Sequence, residues 1–221
     1  MTNSQKHIII GLVIYPGMTA LDIVGPQQVF SALPGVQIHR LWKTLEPIKT
    51  DDGMVLLPDT TFENCPPLDV ICVGGGLEQM AVVDDPKVLE FLQKQGSTAK
   101  FVTSVCGGSA FLAKAGLLQG YRATTHWMMR EQLAQLGVEV GTERVVIDRN
   151  RMTGGGVTAG IDFGLTIAAK LRGEEIAKMT ELMLEYDPAP PFGVGSPEKA
   201  GTDLVSKVRA YVMGTVGLEV K

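Results

Sequence analysis

Runs of consecutive apolar residues alternate along this chain with stretches in which apolar positions recur at helical spacing. Three of the runs are rich in valine and isoleucine, and they predict strands that are covered on both faces. These strands span residues 7–15, 69–75 and 99–105. The helical stretches span residues 25–33, 86–96, 108–118, 127–137 and 158–173. This alternation predicts an α/β fold in which helices flank an open, mostly parallel sheet.

Proline and glycine mark the predicted boundaries of several elements. Pro26 is predicted at the first position of its helix, where its missing N–H group costs nothing. Residues 46–58 predict a small antiparallel hairpin that turns at Asp52 and Gly53. The hairpin is therefore expected as an excursion from the main sheet.

The last part of the chain differs in composition from the rest. Residues 185–201 are rich in proline and glycine, and an amphipathic stretch follows at residues 202–216. This tail is too short to fold alone. We therefore predict one domain that spans residues 1–221, in which residues from about 186 to 221 are a surface arm and a C-terminal helix.

The composition excludes several classes of protein. Hydrophobic residues make up 45% of the 221 residues and charged residues 20%, which is enough apolar material for a sizeable core. The net charge of −4 is mild, and no run of lysine or arginine suits a nucleic acid partner. The start of the chain has neither a basic leader nor an apolar segment of about 18 residues, so no membrane partner is expected.

Cysteine and histidine usage bears on the compartment and on metals. The three cysteines, Cys65, Cys72 and Cys106, form no Cys-x-x-Cys pair and no disulfide framework, which favours the reducing cytoplasm. None of the three histidines pairs with another at the spacing of metal ligands. We therefore expect a cytoplasmic protein without a metal site.

Cys106 stands between a predicted strand and a predicted helix, in the sequence Ser-Val-Cys-Gly-Gly. Such a corner delivers a side chain to the carboxyl edge of the sheet, where α/β folds form their crevice. The N–H groups that begin the next helix would lower the pKa of the thiol. Gly107 and Gly108 leave room for the turn, as in a nucleophile elbow. A small, buried, unreactive cysteine is equally compatible with this stretch taken alone.

Two other stretches bear on that choice. Cys72 lies within an apolar run and is interpreted as a core residue, whereas Cys65 precedes two prolines in a predicted loop. Residues 72–76 end a strand in three glycines, whose N–H groups can approach an anion closely, although such a run is more often just a tight turn. Asp22 precedes the helix predicted at Pro26, where a carboxylate can also simply stabilise the positive end of a helix.

Together these stretches resemble the ThiJ/PfpI superfamily over nearly the whole chain. Five segments look closest to its bacterial isocyanide hydratases: "LDIVGP", "PPLDVICVGGG", "VTSVCGGS", "GLLQGYRATTHW" and "TGGGVTAGIDFGL". The resemblance implies a flavodoxin-like three-layer sandwich, a homodimer and no cofactor. It also implies that Cys106 is the nucleophile and that Asp22, which stands where many members have glutamate, contacts its sulfur.

The chain departs from the hydratase pattern beside the cysteine. Gly107 stands where the hydratases carry threonine, so the backbone N–H group is kept but a hydroxyl group that could hold Asp22 or a water molecule is lost. Gly74 replaces a proline that often precedes the glycines. Weaker activity or a different substrate would be the consequence.

Three further residues are assigned to the surroundings of the thiol. His126 lies near the position at which protease-like members place a histidine; it would be a general base if it met Cys106, and otherwise a residue of the pocket wall. Gly75 and Val157 are assigned to the second layer of the site, and residues 153–163, which include Val157, are predicted to bring a strand end and a helix start close to the cysteine.

The implied reaction is the hydration of a small, apolar isocyanide. Cys106 would add to the isocyanide carbon to give a thioimidate, and water would release an N-substituted formamide. Asp22 would move the protons, while the N–H groups of Gly76 and Gly107 would stabilise negative charge. Two alternatives stay open: another cysteine enzyme of the hydrolase or glyoxalase type, with His126 as partner, and a non-enzymatic redox or ligand sensor.

Overall fold

The computed structural model of this protein describes residues 7–215. The chain divides into two compact units, Met1–Leu184 and Glu185–Lys221. Both ends of the predicted domain, residues 1–6 and 216–221, lie outside the described residues, so the extent of a single domain stays a prediction.

A mostly parallel sheet is the centre of the first unit. Within the described residues the strands are β1 (Ile8–Val13), β2 (Val36–Trp42), β3 (Ile48–Lys49), β4 (Val55–Leu56), β5 (Thr60–Thr61), β6 (Val70–Val73), β7 (Phe101–Val105), β8 (Arg122–Ala123), β9 (Glu139–Val140), β10 (Val145–Asp148) and β11 (Arg151–Gly154). Seven of them form one sheet in the order β10-β11-β7-β6-β1-β2-β5. All neighbours in it are parallel except β10 and β11. The predicted α/β fold with a mostly parallel sheet is confirmed.

Helices surround this sheet. Within the described residues of the first unit they are α1 (Leu21–Ser31), α2 (Pro86–Gly96), α3 (Gly108–Lys114), α4 (Arg130–Gln135), α5 (Ala159–Arg172) and α6 (Glu174–Met183), and the second unit contains α7 (Pro197–Thr215). Helix α5 packs against both α1 and α6, whereas α3 contacts both α2 and α4. Because helices cover the central strands, the residues of β6 are all buried, which explains its unbroken apolar run.

The start of α1 differs from the prediction. The helix begins at Leu21, so Pro26 lies inside it and Asp22 lies in its first turn, and the prediction that Pro26 begins the helix was wrong. Tertiary packing explains the difference. The ring of Pro26 fills the space beside Gly160 of α5, where an added Cβ atom would lie 2.9 Å from the proline Cδ. This contact offsets the poor suitability of proline for a helix interior.

Several other boundaries agree with the prediction. The hairpin forms from β3 and β4, with Ile48 opposite Leu56, and Gly53 in its turn has a φ of +88°. α2 spans the predicted residues, and the Asp85 carboxylate caps it by accepting from the backbone N–H groups of Lys87 and Val88. β2 was not predicted, because its half-exposed sequence contains no long apolar run. α6 was not predicted either.

In the second unit, α7 covers the predicted helix as far as Thr215, and Val216 lies outside the described residues. The backbone leaves helical geometry at Gly201, with φ 76° and ψ 162°, so a short turn precedes the main helix. Across the described part of the chain, no helix combines the length and the apolar character that a membrane crossing needs.

Candidate active site

Cys106 occupies a sharp corner between β7 and α3. Its φ of +57° lies in the left-handed region, which is strained for a residue with a side chain. Three hydrogen bonds hold it there. Its N–H group donates to the carbonyl oxygens of Gly154 (3.1 Å) and Gly155 (2.8 Å), and the Thr125 hydroxyl donates to its carbonyl oxygen (2.8 Å). These neighbouring segments therefore impose the conformation that places the sulfur at the sheet edge.

The glycines around this corner are required by close backbone approaches. A Cβ atom added to Gly108 would lie 2.1 Å from the carbonyl oxygen of Val73, at the end of β6. A Cβ atom added to Gly75 would lie 2.3 Å from the backbone nitrogen of Gly107. Only residues without side chains let the loop after β6 pack directly against the corner after β7.

Asp22 projects into the same place from the first turn of α1. Its side chain is fully buried, and its Oδ2 accepts a 2.6 Å hydrogen bond from the backbone N–H group of Gly75. Its Oδ1 has no well-formed hydrogen bond with any described residue. Burial raises the pKa of this carboxyl to about 7, against the opposing effects of the Gly75 N–H group and of a close contact with Cys106.

The thiol of Cys106 responds to the same surroundings. The residue is 8% exposed, and burial is the largest cause that raises the pKa of its thiol, followed by the negative charge of Asp22. The N–H groups of Val157 and Gly107 oppose this rise. The Gly107 N–H group at the helix start lowers this pKa as expected, but burial outweighs the backbone donors, so the net change is upward.

Asp22 and Cys106 therefore have to be treated as one titrating pair. A charge on either group disfavours a charge on the other, and both are removed from water. With one proton between them the pair carries a single negative charge. When Asp22 holds that proton, the repulsion that raises the pKa of the thiol disappears. The arrangement thus places a thiol beside a carboxyl group that can take its proton.

The predicted backbone donors have different partners. The N–H group of Gly107 faces the sulfur of Cys106, as does that of Val157. The N–H group of Gly76 instead donates to Oε1 of Gln79 at 3.3 Å. A role for Gly76 in stabilising negative charge stays a prediction, and it would require this bond to open.

His126 lines the wall beside the residue 155–157 loop. Its Nδ1 accepts a 3.4 Å hydrogen bond from the Met128 N–H group, and its ring packs on Gly156, where an added Cβ atom would lie 2.7 Å from the ring. Burial and the nearby positive charge of Arg130 lower its pKa. Within residues 7–215 no hydrogen bond joins His126 to Cys106, which favours the wall interpretation over that of a general base.

Three residues of the site were missed from the sequence. Thr125 holds the carbonyl group of Cys106, Tyr15 donates a hydrogen bond to the carbonyl oxygen of Gly74 (3.1 Å), and Gln79 binds Gly76. Thr125 and Tyr15 act through contacts between segments that are distant in sequence, whereas Gln79 binds a residue three positions before it. The only signal was position, because Tyr15 and Gln79 lie close to strand ends at the carboxyl edge of the sheet.

The other cysteines have different surroundings. Burial raises the pKa of the Cys72 thiol to about 12 and that of the Cys65 thiol to about 11. Among the described residues, no group of three or more histidine, cysteine, aspartate or glutamate side chains is placed to hold a metal ion.

Comparison with known proteins places this geometry in a family. Residues 8–170 match the model of the DJ-1/PfpI family. The chain is 49% identical over 200 residues to the isonitrile hydratase of Pseudomonas putida, a match that covers 90% of this chain and 88% of that protein. It is 32% identical over 187 residues to the HTH-type transcriptional regulator GbdR of Pseudomonas aeruginosa, covering 80% of this chain and 50% of the regulator.

The fold comparison agrees. The crystal structure of a ThiJ/PfpI family protein from Pseudomonas syringae superposes with a TM-score of 0.92 at 42% identity, covering 96% of this chain and 89% of that one. The predicted flavodoxin-like architecture and the superfamily resemblance are both confirmed. The chain belongs to the DJ-1/PfpI family.

Proposed function

We propose that this protein is an isocyanide hydratase that uses Cys106 as a covalent nucleophile and Asp22 as its proton carrier. The observation that carries the proposal is the buried pair itself: a strained cysteine whose sulfur meets a carboxyl group with a pKa of about 7. The 49% identity to an isonitrile hydratase, over most of both chains, supports the choice of substrate.

The first step joins the thiol to the substrate. The terminal carbon of an isocyanide accepts both a nucleophile and a proton. The sulfur of Cys106 forms a bond to this carbon while the thiol proton passes through Asp22 to the same carbon. The product is a thioimidate, Cys–S–CH=N–R, and no proton is gained or lost overall. A carboxyl group near neutral pKa is well matched to move a proton in both directions.

Water completes the reaction. Asp22 takes a proton from water as the oxygen attacks the thioimidate carbon, and the nitrogen gains a proton. The C–S bond then breaks as the hydroxyl group of the adduct becomes the carbonyl group and gives its proton to the sulfur, and an N-substituted formamide leaves. The sum is one isocyanide plus one water to one formamide, so neither a redox partner nor a cofactor is consumed.

Backbone groups assist at the sulfur. The N–H groups of Gly107 and Val157 oppose the rise in the pKa of the thiol, which means that they favour its charged form. They therefore stabilise the sulfur as it loses its proton in the first step and again as it leaves in the second. Such a donor is typically worth about 3 kcal/mol in acyl-transfer enzymes.

The restricted access to the sulfur suits a small, linear reacting group. Cys106 is 8% exposed, and backbone atoms of the loop after β6 pack against the corner that holds it. A terminal –N≡C group needs little lateral room, whereas a peptide bond would have to present two chain directions. The lack of a hydrogen bond between His126 and Cys106 in the described structure also disfavours a cysteine–histidine hydrolase.

A ligand sensor is the second candidate. The match to GbdR spans 80% of this chain, so a related sequence forms part of a transcriptional regulator. A sensor would bind an isocyanide, or be modified at Cys106, without turnover. From the superfamily resemblance we further propose a homodimer that works in the cytoplasm without a cofactor or nucleic acid partner.

The test is product formation by the purified protein. A simple alkyl isocyanide is incubated in deuterated water, and ¹H and ²H NMR follow the formamide. We expect catalytic formamide formation with deuterium at the formyl carbon, and none above background with Cys106→Ala. Wild-type protein that binds the isocyanide without turnover would support the sensor. Equal rates for the two proteins would contradict the covalent mechanism.

A further inference from the structure

The side chain of Gln79 lies buried beside the catalytic corner. It belongs to a short 3-10 turn, Gln79–Ala81, and is 2% exposed. Its Oε1 accepts the 3.3 Å bond from the N–H group of Gly76, and its Nε2 lies 3.6 Å from the sulfur of Met129. A glutamine is rarely this buried unless its carboxamide has a structural or chemical use.

The carboxamide fills the niche that Gly107 leaves open. A Cβ atom at residue 107 would lie 1.9 Å from Oε1, 2.7 Å from Cδ and 2.9 Å from Nε2 of Gln79. Residue 107 and the carboxamide therefore exclude each other: a side chain on the first is compatible only with displacement of the second. Because the N–H group of Gly107 faces the sulfur of Cys106, this packing occurs directly beside the reacting atom.

The hydrogen-bonding capacity of the carboxamide is only partly used. Its single bond to Gly76 is long, and a thioether sulfur is a weak acceptor for its N–H groups. Packing alone would be served better by an apolar side chain of the same length, since burying an amide with poor partners costs free energy. The bond to Gly76 is thus the feature that a glutamine adds.

The hydrogen bond between Gln79 and Gly76 lies one peptide group along the chain from the hydrogen bond between Gly75 and Asp22. Gly76 follows Gly75, whose N–H group donates the 2.6 Å bond to Oδ2 of Asp22. The Tyr15 hydroxyl holds the carbonyl oxygen of Gly74, in the same peptide group as the Gly75 N–H. Gln79 holds the next peptide group and so limits how Gly75 can rotate. Gln79 therefore helps to aim the Gly75 N–H group at the carboxyl that moves the proton.

We propose that Gln79 is a positioning residue of this site, which orients the glycine loop toward Asp22 and occupies the niche over Gly107. The proposal rests on the proposed roles of Cys106 and Asp22, with which Gln79 acts through Gly75 and Gly76. It also assigns Gly107 a purpose: the missing side chain is the space in which the carboxamide stands.

The first test separates hydrogen bonding from packing. Gln79→Met keeps the length of the side chain but removes the acceptor. Since the Gly75 N–H group lowers the pKa of Asp22, a looser loop moves the acid limb of the Cys106 reactivity profile to higher pH. We expect an upward shift of about half a pH unit and a loss of about 10-fold in kcat with little change in KM.

A buried glutamine elsewhere in the fold provides the matched control. Gln95 is 6% exposed, accepts a 3.2 Å bond from the Leu68 N–H group, and donates to the sulfur of Cys65 and the carbonyl oxygen of Pro66. In the described structure it has no hydrogen bond to Cys106 or Asp22. Gln95→Met should lower the melting temperature but leave the pH profile of Cys106 in place. Equal profiles for wild type and Gln79→Met, or an equal shift in Gln95→Met, would overturn the proposal.

The second test uses the mutual exclusion of the two side chains. Gly107→Ala should cost about 30-fold in kcat/KM, because its methyl group displaces the carboxamide. When Gly107→Ala is added to a Gln79→Ala variant, it should lower kcat/KM by less than about a further 2-fold. Losses that multiply would show that the two positions act independently and would overturn the proposal.

The readout in both tests includes one that needs no isocyanide turnover. The rate of Cys106 alkylation by iodoacetamide is measured between pH 5 and 10, with the modified peptide identified by mass spectrometry. If wild-type protein makes no formamide but Gln79→Met shifts the alkylation profile, the hydratase proposal fails and the positioning role stands. If formamide forms and no Gln79 variant shifts the profile, the positioning role fails alone.

Discussion

Cys72 lies on β6, and Cys106 directly follows the neighbouring strand β7 of the same sheet. Cys72 is opposite Thr103 in the parallel register of β6 and β7, and Cys106 follows three residues later, just past the end of β7. Both side chains are buried, at 0% and 8% exposure, and burial raises the pKa of both thiols. By burial alone, the two would be expected to be equally inert.

The two cysteines differ in backbone geometry and in whether a carboxyl group that can act as a base contacts the sulfur. Cys72 sits in an extended strand, and its contact with the Thr103 hydroxyl is the cause that opposes the rise in its pKa. Cys106 has a φ of +57°, two backbone N–H groups at its sulfur and the carboxyl of Asp22 in contact. A buried thiol is made useful by an adjacent group that takes its proton, rather than by a low pKa of its own.

The largest effect is the expected difference in activity between a variant without the Cys106 sulfur and a variant without the Cys72 sulfur. Cys106→Ser should lower kcat/KM for formamide formation by at least about 1,000-fold, because a hydroxyl group is a far weaker nucleophile than a thiol. Cys72→Ala should stay within about 3-fold, since no step uses that sulfur. Comparable losses in both variants, at equal folded fractions by circular dichroism, would remove the distinction between the two cysteines.

The second effect is the cost of burying Asp22. Its pKa rises from 3.8 to about 7 on folding, so between these values the folded state holds a proton that the unfolded state has released. The free energy of unfolding should therefore fall as pH rises from about 4 to 7, by up to about 4 kcal/mol from this group. Asp22→Asn removes this cost and should become more stable than wild type above pH 7.

Urea unfolding at pH 5 and pH 8 measures this difference. The stability gain of Asp22→Asn over wild type should be larger at pH 8 than at pH 5. A gain that is the same at both values would show that the carboxyl does not take up its proton on folding. Asp52→Asn, in the exposed hairpin turn, serves as a control in which an acidic group is removed outside the site.

The smallest effect is the difference in stability between the glycine and alanine variants at residues 106 and 72. The left-handed conformation at Cys106 is strained for any residue with a Cβ atom. Cys106→Gly should therefore be about 1 kcal/mol more stable than Cys106→Ala. In the extended strand the order should reverse, with Cys72→Gly about 1 kcal/mol less stable than Cys72→Ala. Thermal melts of the four variants would contradict the strain at Cys106 if both positions showed the same order.

The parts of this molecule that local patterns determine were predicted well. The corner at Cys106, the three glycines at residues 74–76 and the hairpin turn at Gly53 depend on turn chemistry within a few residues. The sequence resemblance added Asp22, whose carboxyl reaches the sulfur from a different crossover. These features share one edge of the sheet because parallel strands end there together.

Features that depend on distant contacts were not predicted. Pro26 lies inside a helix because Gly160 receives its ring, and no local rule shows that contact. The net upward change in the pKa of the Cys106 thiol was not predicted, because it depends on the depth of burial, which a motif does not contain. Gln79 lacked a motif of its own, and its use depends on the empty space at Gly107.

The shared proton of Asp22 and Cys106 is tested most directly by the pH dependence of kcat/KM for formamide formation, in wild type and in Asp22→Asn. The active form of the pair holds one proton rather than two. The kcat/KM of wild type should therefore rise with pH through an apparent pKa near 7. Asp22→Asn should be about 100-fold slower and lack that limb. A wild-type profile that is flat between pH 5.5 and 8.5, or an Asp22→Asn profile identical to it, would contradict the mechanism.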